Sequence, residues 1–171
     1  MTDIRYRPLE DGDFPGIYHV ALEAWRFTYR DMYDREYIEA FVKKNYTRER
    51  LAGLMHQVRS GANSFDVALS DGKIVGYCHI GLPSRGAQMY SLYVLPTFIG
   101  RGVGWGLLQR GEAFVKSHGH RMYHCFVHRD NELAKRFYLR QGFQHVVALD
   151  EPEDWYLEKA LVAKLLHESN T

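Results

Sequence analysis

The chain has 171 residues, of which 46% are hydrophobic and 25% are charged, and its formal net charge is +1. This length suits one domain with a sizeable core, so we expect a single domain over residues 1–171. The near-neutral charge excludes a basic field for nucleic acid. No apolar run approaches the roughly 18 residues that a membrane span requires.

The two cysteines, Cys78 and Cys125, each fall inside a predicted strand. Cysteines placed in this way are usually buried free thiols in a reducing compartment. The first residues also lack the charged and then apolar pattern of a signal peptide. We therefore expect a cytoplasmic location.

The N-terminal part of the chain predicts one strand followed by helices. Residues 3–9 alternate in polarity, as a strand does, and apolar residues recur at helical spacing over 14–30. Capping residues and apolar stripes predict two further helices over 34–43 and 47–60.

The middle of the chain predicts three strands in quick succession. Residues 65–69 and 74–80 are joined by Asp71 and Gly72, a pair typical of a tight hairpin. A third strand over 87–94 then leads into a turn that is rich in glycine.

Helices and strands alternate in the remainder of the chain. The predicted elements are a helix to Ser117, a strand over 121–127, a helix over 131–141, strands over 143–149 and 155–159, and a short helix or frayed tail over 161–167. Helical crossovers join parallel strands, so this order predicts an α+β fold with a mixed sheet of about seven strands flanked by helices.

Four glycines (Gly100, Gly102, Gly104 and Gly106) lie between the strand over 87–94 and the next helix. Unpaired N–H groups and the dipole at such a helix start suit an anion, usually a phosphate, although a tight connection alone would use the same residues. Gly106 is followed by leucine, which excludes the P-loop. No acidic residue closes the next strand, which excludes the dinucleotide fingerprint.

Two segments resemble the GCN5-related N-acetyltransferase (GNAT) superfamily. Residues 92–108 resemble its coenzyme A pyrophosphate motif, although Ile99 occupies the usual Gln/Arg position and a register shifted to start at Arg101 also fits. Residues 131–143 carry its Asn, Ala, aromatic, Tyr, Gly and Phe positions. The resemblance implies the GNAT-type acyl-CoA N-acyltransferase fold along nearly the whole chain.

Three shorter segments, 24–29, 36–39 and 126–131, look like the polyamine branch of that superfamily, typified by bacterial spermidine/spermine enzymes. The implied reaction transfers an acetyl group from acetyl-CoA, with no metal, to a primary amine by direct attack. The residues that the resemblance implies for coenzyme binding are Tyr93, Val94, Leu95, Arg101, Gly102, Val103, Gly104, Trp105, Gly106 and Asn131.

The implied roles divide these residues between the acyl group, the diphosphate and the pantetheine arm. A bulge in the strand would free the amides of Tyr93, Val94 and Leu95 for the acetyl carbonyl and for the oxyanion that forms. Main-chain donors from residues 101–106 would hold the diphosphate. Asn131 would hold the pantetheine arm, cap its own helix, or do both.

Tyr138 is the implied general acid for the departing thiolate. It lies two helical turns after Asn131 on about the same face, although a tyrosine there is also a common core residue. The amine must lose a proton before attack, and Phe126 stands where some relatives have glutamate. His124, His128 and a chain of waters remain alternatives for that step.

Aromatic and acidic residues surround the first helix–helix connection, where this fold usually binds its acceptor. Trp25, Tyr29 and Tyr33 are our substrate-binding residues. The carboxylates nearby are Glu23, Asp31, Asp34, Glu36, Asp150, Glu151, Glu153 and Asp154. Aromatic faces and carboxylates together suit a linear polycation, although a solvated loop and ordinary core aromatics would give the same composition.

The leading hypothesis is therefore a small-molecule amine acetyltransferase, with polyamines as the preferred acceptors. The alternatives are a peptide N-terminal or lysine acetyltransferase and a non-catalytic acyl-CoA-sensing module. We expect no nucleic acid or membrane partner. The pattern is compatible with a homodimer but does not determine the oligomeric state.

Overall fold

A computed structural model of the chain describes residues 3–162, which form one sheet with helices on both faces. The elements are β1 (Ile4–Pro8), α1 (Phe14–Tyr29), α2 (Arg35–Asn45), α3 (Arg48–Arg59), β2 (Asn63–Ser70), β3 (Lys73–Gly81), β4 (Ala87–Val94), α4 (Val103–Ser117), β5 (Met122–His128), α5 (Glu132–Arg140), β6 (Gln144–His145) and β7 (Asp154–Ala160). The predicted order of elements is confirmed. Asp34 and Thr47 cap α2 and α3 by accepting backbone N–H bonds.

The described strands lie in the order β1-β2-β3-β4-β5-β7-β6, and among them only β4 and β5 are parallel neighbours. The predicted mixed α+β sheet is therefore confirmed. The β2–β3 hairpin is also confirmed, with positive φ angles of 49° at Asp71 and 74° at Gly72. We expected α5 to join two neighbouring parallel strands. It does not, because β7 inserts between β5 and β6 and pairs antiparallel with both.

Each face of the sheet buries its own hydrophobic cluster. On one face α4 packs Val103, Leu107 and Leu108 against strand residues that include Cys125. On the other face α1 packs Ile17, Val20 and Ala21 against β2 and β3. Cys78 and Cys125 are buried and free, as expected, and burial raises the pKa of the Cys125 thiol to about 12.

The predicted strand over 143–149 is wrong after His145. Val146 still donates its N–H to the Tyr156 carbonyl (3.0 Å), but the chain then turns into a short 3-10 helix over Val147–Leu149. Asp150 holds this turn by accepting hydrogen bonds from the Tyr156 N–H and the His145 ring. Side-chain capture by Asp150 thus ends the ladder that residues 146–149 would otherwise extend.

The predicted helix or tail over 161–167 lies outside the described residues except for Leu161 and Val162, which are in neither a helix nor a strand. Among the described residues, no helix combines the length and apolarity needed to cross a membrane.

β4 and β5 diverge soon after they meet. They pair only where Ala87 and Gln88 face Tyr123 and His124. Beyond that point β4 gains a bulge at Tyr90, because His79 of β3 faces Ser91 while Ile80 faces Met89. The two strands therefore open into a cleft at their carboxyl ends, directly before the glycine turn.

Candidate active site

The cleft between the strands exposes alternate amides of β4. The Leu95 N–H donates to the Val75 carbonyl of β3 at 2.8 Å. Because successive N–H groups point to opposite sides of a strand, the N–H of Val94 faces the cleft and that of Tyr93 faces β3. Our expectation of freed amides is therefore wrong for Tyr93 and Leu95 and leaves only Val94, and the bulge lies upstream, at Tyr90.

The glycine turn places the N-terminus of α4 beside the Val94 N–H. A 3-10 turn over Pro96–Phe98 leads to Gly100 and Gly102, which have φ angles of 79° and 80°. The first intrahelical bond of α4 runs from the Gly106 N–H to the Gly102 carbonyl at 3.0 Å. The three preceding amides, those of residues 103–105, are left to point outward, and the first turn contains no acidic residue. This arrangement fits a diphosphate.

Positions 104 and 106 require glycine for different physical reasons. A Cβ on Gly104 would lie 3.3 Å from Phe137 and 3.9 Å from Val94, so the start of α4 meets β4 and α5 here. A Cβ on Gly106 would overlap the ring of Tyr6 in β1. Since the Gly106 N–H is also used within the helix, our expectation that it donates to the diphosphate is wrong.

The side chains around the turn are largely exposed. The Arg101 guanidinium lies 5.0 Å above the Phe98 ring and makes no ion pair with another described residue. Trp105 is 55% exposed and Ile99 is 40% exposed. Arg101 is therefore the cation of this turn that is available to a bound phosphate, whereas for Trp105 we expect a contribution from the backbone N–H alone.

Asn131 and Tyr138 lie on α5, as predicted. The Asn131 side-chain oxygen accepts the Ala134 N–H at 3.1 Å, which caps the helix, and its amide NH₂ lies beside the Tyr29 hydroxyl. Tyr138 is 8% exposed and packs between Phe137 and Phe143, with ring centroids 5.4 and 5.2 Å away. Burial raises the pKa of Tyr138 well above its ordinary value, so its hydroxyl stays protonated.

Neither histidine suits the role of base. The Nδ1 atom of His128 accepts the Asp130 N–H at 3.2 Å, so the neutral ring carries its proton on Nε2 and has no free acceptor. His124 lies at the opposite end of β5, level with Gln88, and burial lowers its pKa.

Five aromatic rings from α1, α2 and their connection form a closed circuit, which we call the aromatic circuit. Its consecutive centroid distances are 4.4 Å for Trp25–Tyr29, 6.0 Å for Tyr29–Tyr33, 4.7 Å for Tyr33–Tyr37, 6.3 Å for Tyr37–Phe41 and 4.1 Å for Phe41–Trp25. The structure therefore groups the three predicted residues and adds Tyr37 and Phe41. Tyr37 and Phe41 are four residues apart on α2, as Trp25 and Tyr29 are on α1. This spacing is the sequence signal that could have identified them.

Four of the eight predicted carboxylates are already engaged. Glu23 pairs with Arg26 at 2.8 Å, Asp31 lies 3.9 Å from Arg30, Asp34 caps α2, and Asp150 holds the β6–β7 turn. The other four, Glu36, Glu151, Glu153 and Asp154, make no ion pair within residues 3–162. Of these, Glu153 and Asp154 lie close enough to Tyr33 and Tyr29 to raise the pKa values of those tyrosines, so these two are the best placed for a cationic ligand.

Asp154 stands beside the aromatic circuit. It faces His128 across the β5–β7 ladder, and the His128 ring lies 6.1 Å from that of Tyr29. Burial raises the pKa of Tyr29 to about 12 and the nearby Asp154 charge adds to this effect. Burial also raises the pKa of Tyr33, with the nearby charge of Glu153 contributing. A hydrogen bond from the Asn131 side chain to the Tyr29 hydroxyl acts in the opposite direction and lowers the pKa of Tyr29.

A splayed parallel strand pair, a helix start fit for a diphosphate and a buried protonated phenol define a class of protein that handles an activated acyl carrier. Comparison with known proteins gives the same class. The model of the acetyltransferase (GNAT) family matches residues 17–143. Among residues 3–162 no group of three or more side chains is placed to hold a metal ion.

The chain is 31% identical over 159 residues to a protein named spermidine N(1)-acetyltransferase from Thermoplasma acidophilum, covering 91% of this chain and 96% of that one. The crystal structure of the PaiA N-acetyltransferase of T. acidophilum, in complex with coenzyme A, matches with a TM-score of 0.87 and 28% identity. That match covers 92% of this chain and 99% of that one. An acetyltransferase from Thermus thermophilus shares the fold, with a TM-score of 0.70, 20% identity, and coverage of 94% of this chain and 100% of that one.

The chain therefore belongs to the GNAT family of acetyltransferases. It is an acetyl-CoA-dependent N-acetyltransferase whose α+β fold is the one that its sequence predicts.

Proposed function

We propose that this enzyme acetylates a primary amine of a linear polyamine. The observation that carries the proposal is the aromatic circuit with Asp154 beside it, close to the cleft between β4 and β5. Ring faces and unpaired carboxylates attract alkylammonium groups through cation–π contact and ion pairing. The name of the T. acidophilum relative, a spermidine acetyltransferase, supports the same class of acceptor.

The residues would divide the work as follows. The aromatic circuit and Asp154 hold the cationic chain, and the reacting ammonium loses its proton to water because neither histidine can accept it. The Val94 N–H donates to the thioester carbonyl oxygen as negative charge develops there. The amine nitrogen bonds to the acetyl carbon, the carbon–sulfur bond breaks, and the Tyr138 hydroxyl protonates the departing sulfur. The nitrogen loses its second proton to water as the amide forms, and Tyr138 regains a proton from solvent.

The direct test is consumption of acetyl-CoA with a panel of amines. We expect the highest kcat/KM with spermidine or spermine, and much lower values with lysine peptides, amino acids and an aminoglycoside. Preference for a lysine peptide would overturn the assignment of polyamines, and absence of turnover with every amine would contradict the enzyme itself.

Replacement of Tyr138 by phenylalanine separates catalysis from coenzyme binding. We expect Tyr138→Phe to lower kcat about 100-fold, the usual effect of losing a general acid, with coenzyme A affinity by calorimetry unchanged. Tyr18→Phe, on α1, is the matched control. A sensing module would lose nothing, and a purely structural Tyr138 would lower stability without a selective loss of kcat.

Replacement of Asp154 tests the acceptor site. We expect Asp154→Asn to raise KM for a polyamine about tenfold, as for loss of a charge-assisted hydrogen bond, with little change in kcat. Glu151→Gln, in the same connection, should leave both constants unchanged. Equal effects of the two substitutions would mean that Asp154 acts only through the general charge of the loop.

A further inference from the structure

The open face of β5 and β7 continues away from the acceptor site. Three cross-strand pairs follow one another on this face: His128 with Asp154, Phe126 with Tyr156, and His124 with Glu158. The intervening residues of β7 point the other way, since Lys159 bonds to Glu112 of α4 and Trp155 lies under Lys135 of α5.

Aromatic rings form a continuous floor between the two carboxylates. The rings of His124 and Tyr156 are stacked at 5.0 Å with an interplanar angle of 17°, and Phe126 meets Tyr156 edge-on at 5.4 Å. Burial lowers the pKa of His124, so this ring is neutral near pH 7 and does not repel a cation.

The carboxylates are spaced for an extended ligand. Asp154 and Glu158 are four residues apart on one strand, which separates them by about 13 Å along its axis. Glu158 is partly exposed and, like Asp154, makes no ion pair with any residue in the described part of the chain. Two unpaired negative charges joined by an aromatic floor match a flexible polycation whose nitrogens are separated by methylene groups.

A basic rim closes the far end of this face. A cavity of about 400 Å³ is lined by His124 and Tyr156 together with Arg85, His120 and Arg121. Arg121 lies past Glu158 along the strands, because its carbonyl accepts the Leu161 N–H. Neither arginine pairs with an acidic residue within residues 3–162. A cationic ligand therefore meets repulsion if it extends past Glu158.

We propose that the face formed by Phe126, Tyr156 and Glu158 is a second section of the acceptor site, which reads the length of a polyamine. Asp154 binds the nitrogen next to the acetylated end. Glu158 binds the remote ammonium of a longer chain, and the basic rim sets the upper limit of length. This inference rests on the proposed function, because it extends the same acceptor site.

The test compares a short and a long acceptor in two matched variants, Glu158→Gln and Glu49→Gln, the latter at an exposed position on α3. With saturating acetyl-CoA, Glu158→Gln should lower kcat/KM for spermine about tenfold, the effect of one charge-assisted contact, and should do so through KM. Its effect on 1,4-diaminobutane, which cannot reach Glu158, should be under about twofold. Glu49→Gln should change neither, and Glu158→Asp should recover part of the spermine activity.

Equilibrium binding of spermine to the enzyme saturated with coenzyme A separates the two proposals. If spermine binds and Glu158→Gln weakens that binding, but no polyamine is acetylated, the length-reading face stands and the proposed function fails. If polyamines are acetylated and Glu158→Gln affects spermine and 1,4-diaminobutane equally, or affects neither, the length-reading face is refuted while the proposed function stands. Absence of both binding and turnover would overturn both.

Discussion

Replacement of Gly106 by alanine tests whether this glycine serves packing rather than coenzyme binding. The added Cβ would overlap the ring of Tyr6, which must swing outward and lose part of its contact with α4. Overpacking of this kind costs about 1–3 kcal/mol, whereas alanine in place of a helical glycine contributes about 1 kcal/mol of stability. We therefore expect Gly106→Ala to lower the free energy of unfolding by up to about 2 kcal/mol.

A second background isolates the contribution of the Tyr6 ring. In a Tyr6→Val protein the ring is gone, so only the helix preference of alanine remains and Gly106→Ala should stabilise by about 1 kcal/mol. The substitution should therefore be less favourable in the Tyr6 background than in the Tyr6→Val background, with a coupling energy of about 1–3 kcal/mol.

The assay is urea denaturation of the four proteins, combined with calorimetric titration of coenzyme A. For a chain of this size each 1 kcal/mol corresponds to a shift of about 2–4 °C in Tm. The affinity for coenzyme A should stay within about twofold, because the Gly106 N–H is already bonded within α4. The same stability change in both backgrounds, or a loss of coenzyme affinity without a loss of stability, would refute the packing role.

Three further predictions concern buried ionisable groups. Burial lowers the pKa of His79 to about 4 from 6.5, so the unfolded chain binds the extra proton, and stability falls as pH decreases from 6.5 to 4. The slope is about 1.4 kcal/mol per pH unit, and denaturation of His79→Phe should show a shallower dependence. Burial raises the pKa of both Cys78 and Cys125, so iodoacetamide should label neither in the native protein, as mass spectrometry can check. Arg110→Met removes the partner (2.8 Å) of buried Asp66 and should cost about 2–3 kcal/mol in urea denaturation, whereas Arg50→Met, at an exposed site, should cost little.

The local elements of this protein follow from its sequence. Polarity alternation and helical spacing depend on near neighbours, which is why the order of strands and helices, the hairpin at Asp71 and Gly72 and the glycine-rich helix start are all predicted. The two-turn separation that places Asn131 and Tyr138 on one face of α5 is local in the same sense.

The tertiary structure decides which of the candidate groups are free to act. The Leu95 N–H is bonded to the Val75 carbonyl, a Cβ at Gly106 would overlap Tyr6, and the Asp150 carboxylate is bonded within the turn before β7. Each of these three residues nevertheless matches a functional pattern in the sequence. Each of these partners is distant in sequence or set by side-chain capture, and periodicity carries no information about such contacts.

The proposed acceptor site shows the same division between what the sequence and what the tertiary structure determine. Sequence reasoning selects aromatic residues around the α1–α2 connection, but the stacking of Trp25 on Phe41 closes them into one circuit only when α1 and α2 pack together. Insertion of β7 between β5 and β6 then brings Asp154 beside that circuit and aligns Glu158 on the same face. Composition predicts the kind of ligand. Strand pairing determines where the carboxylates that would bind its charges lie, because pairing joins residues that are far apart along the chain.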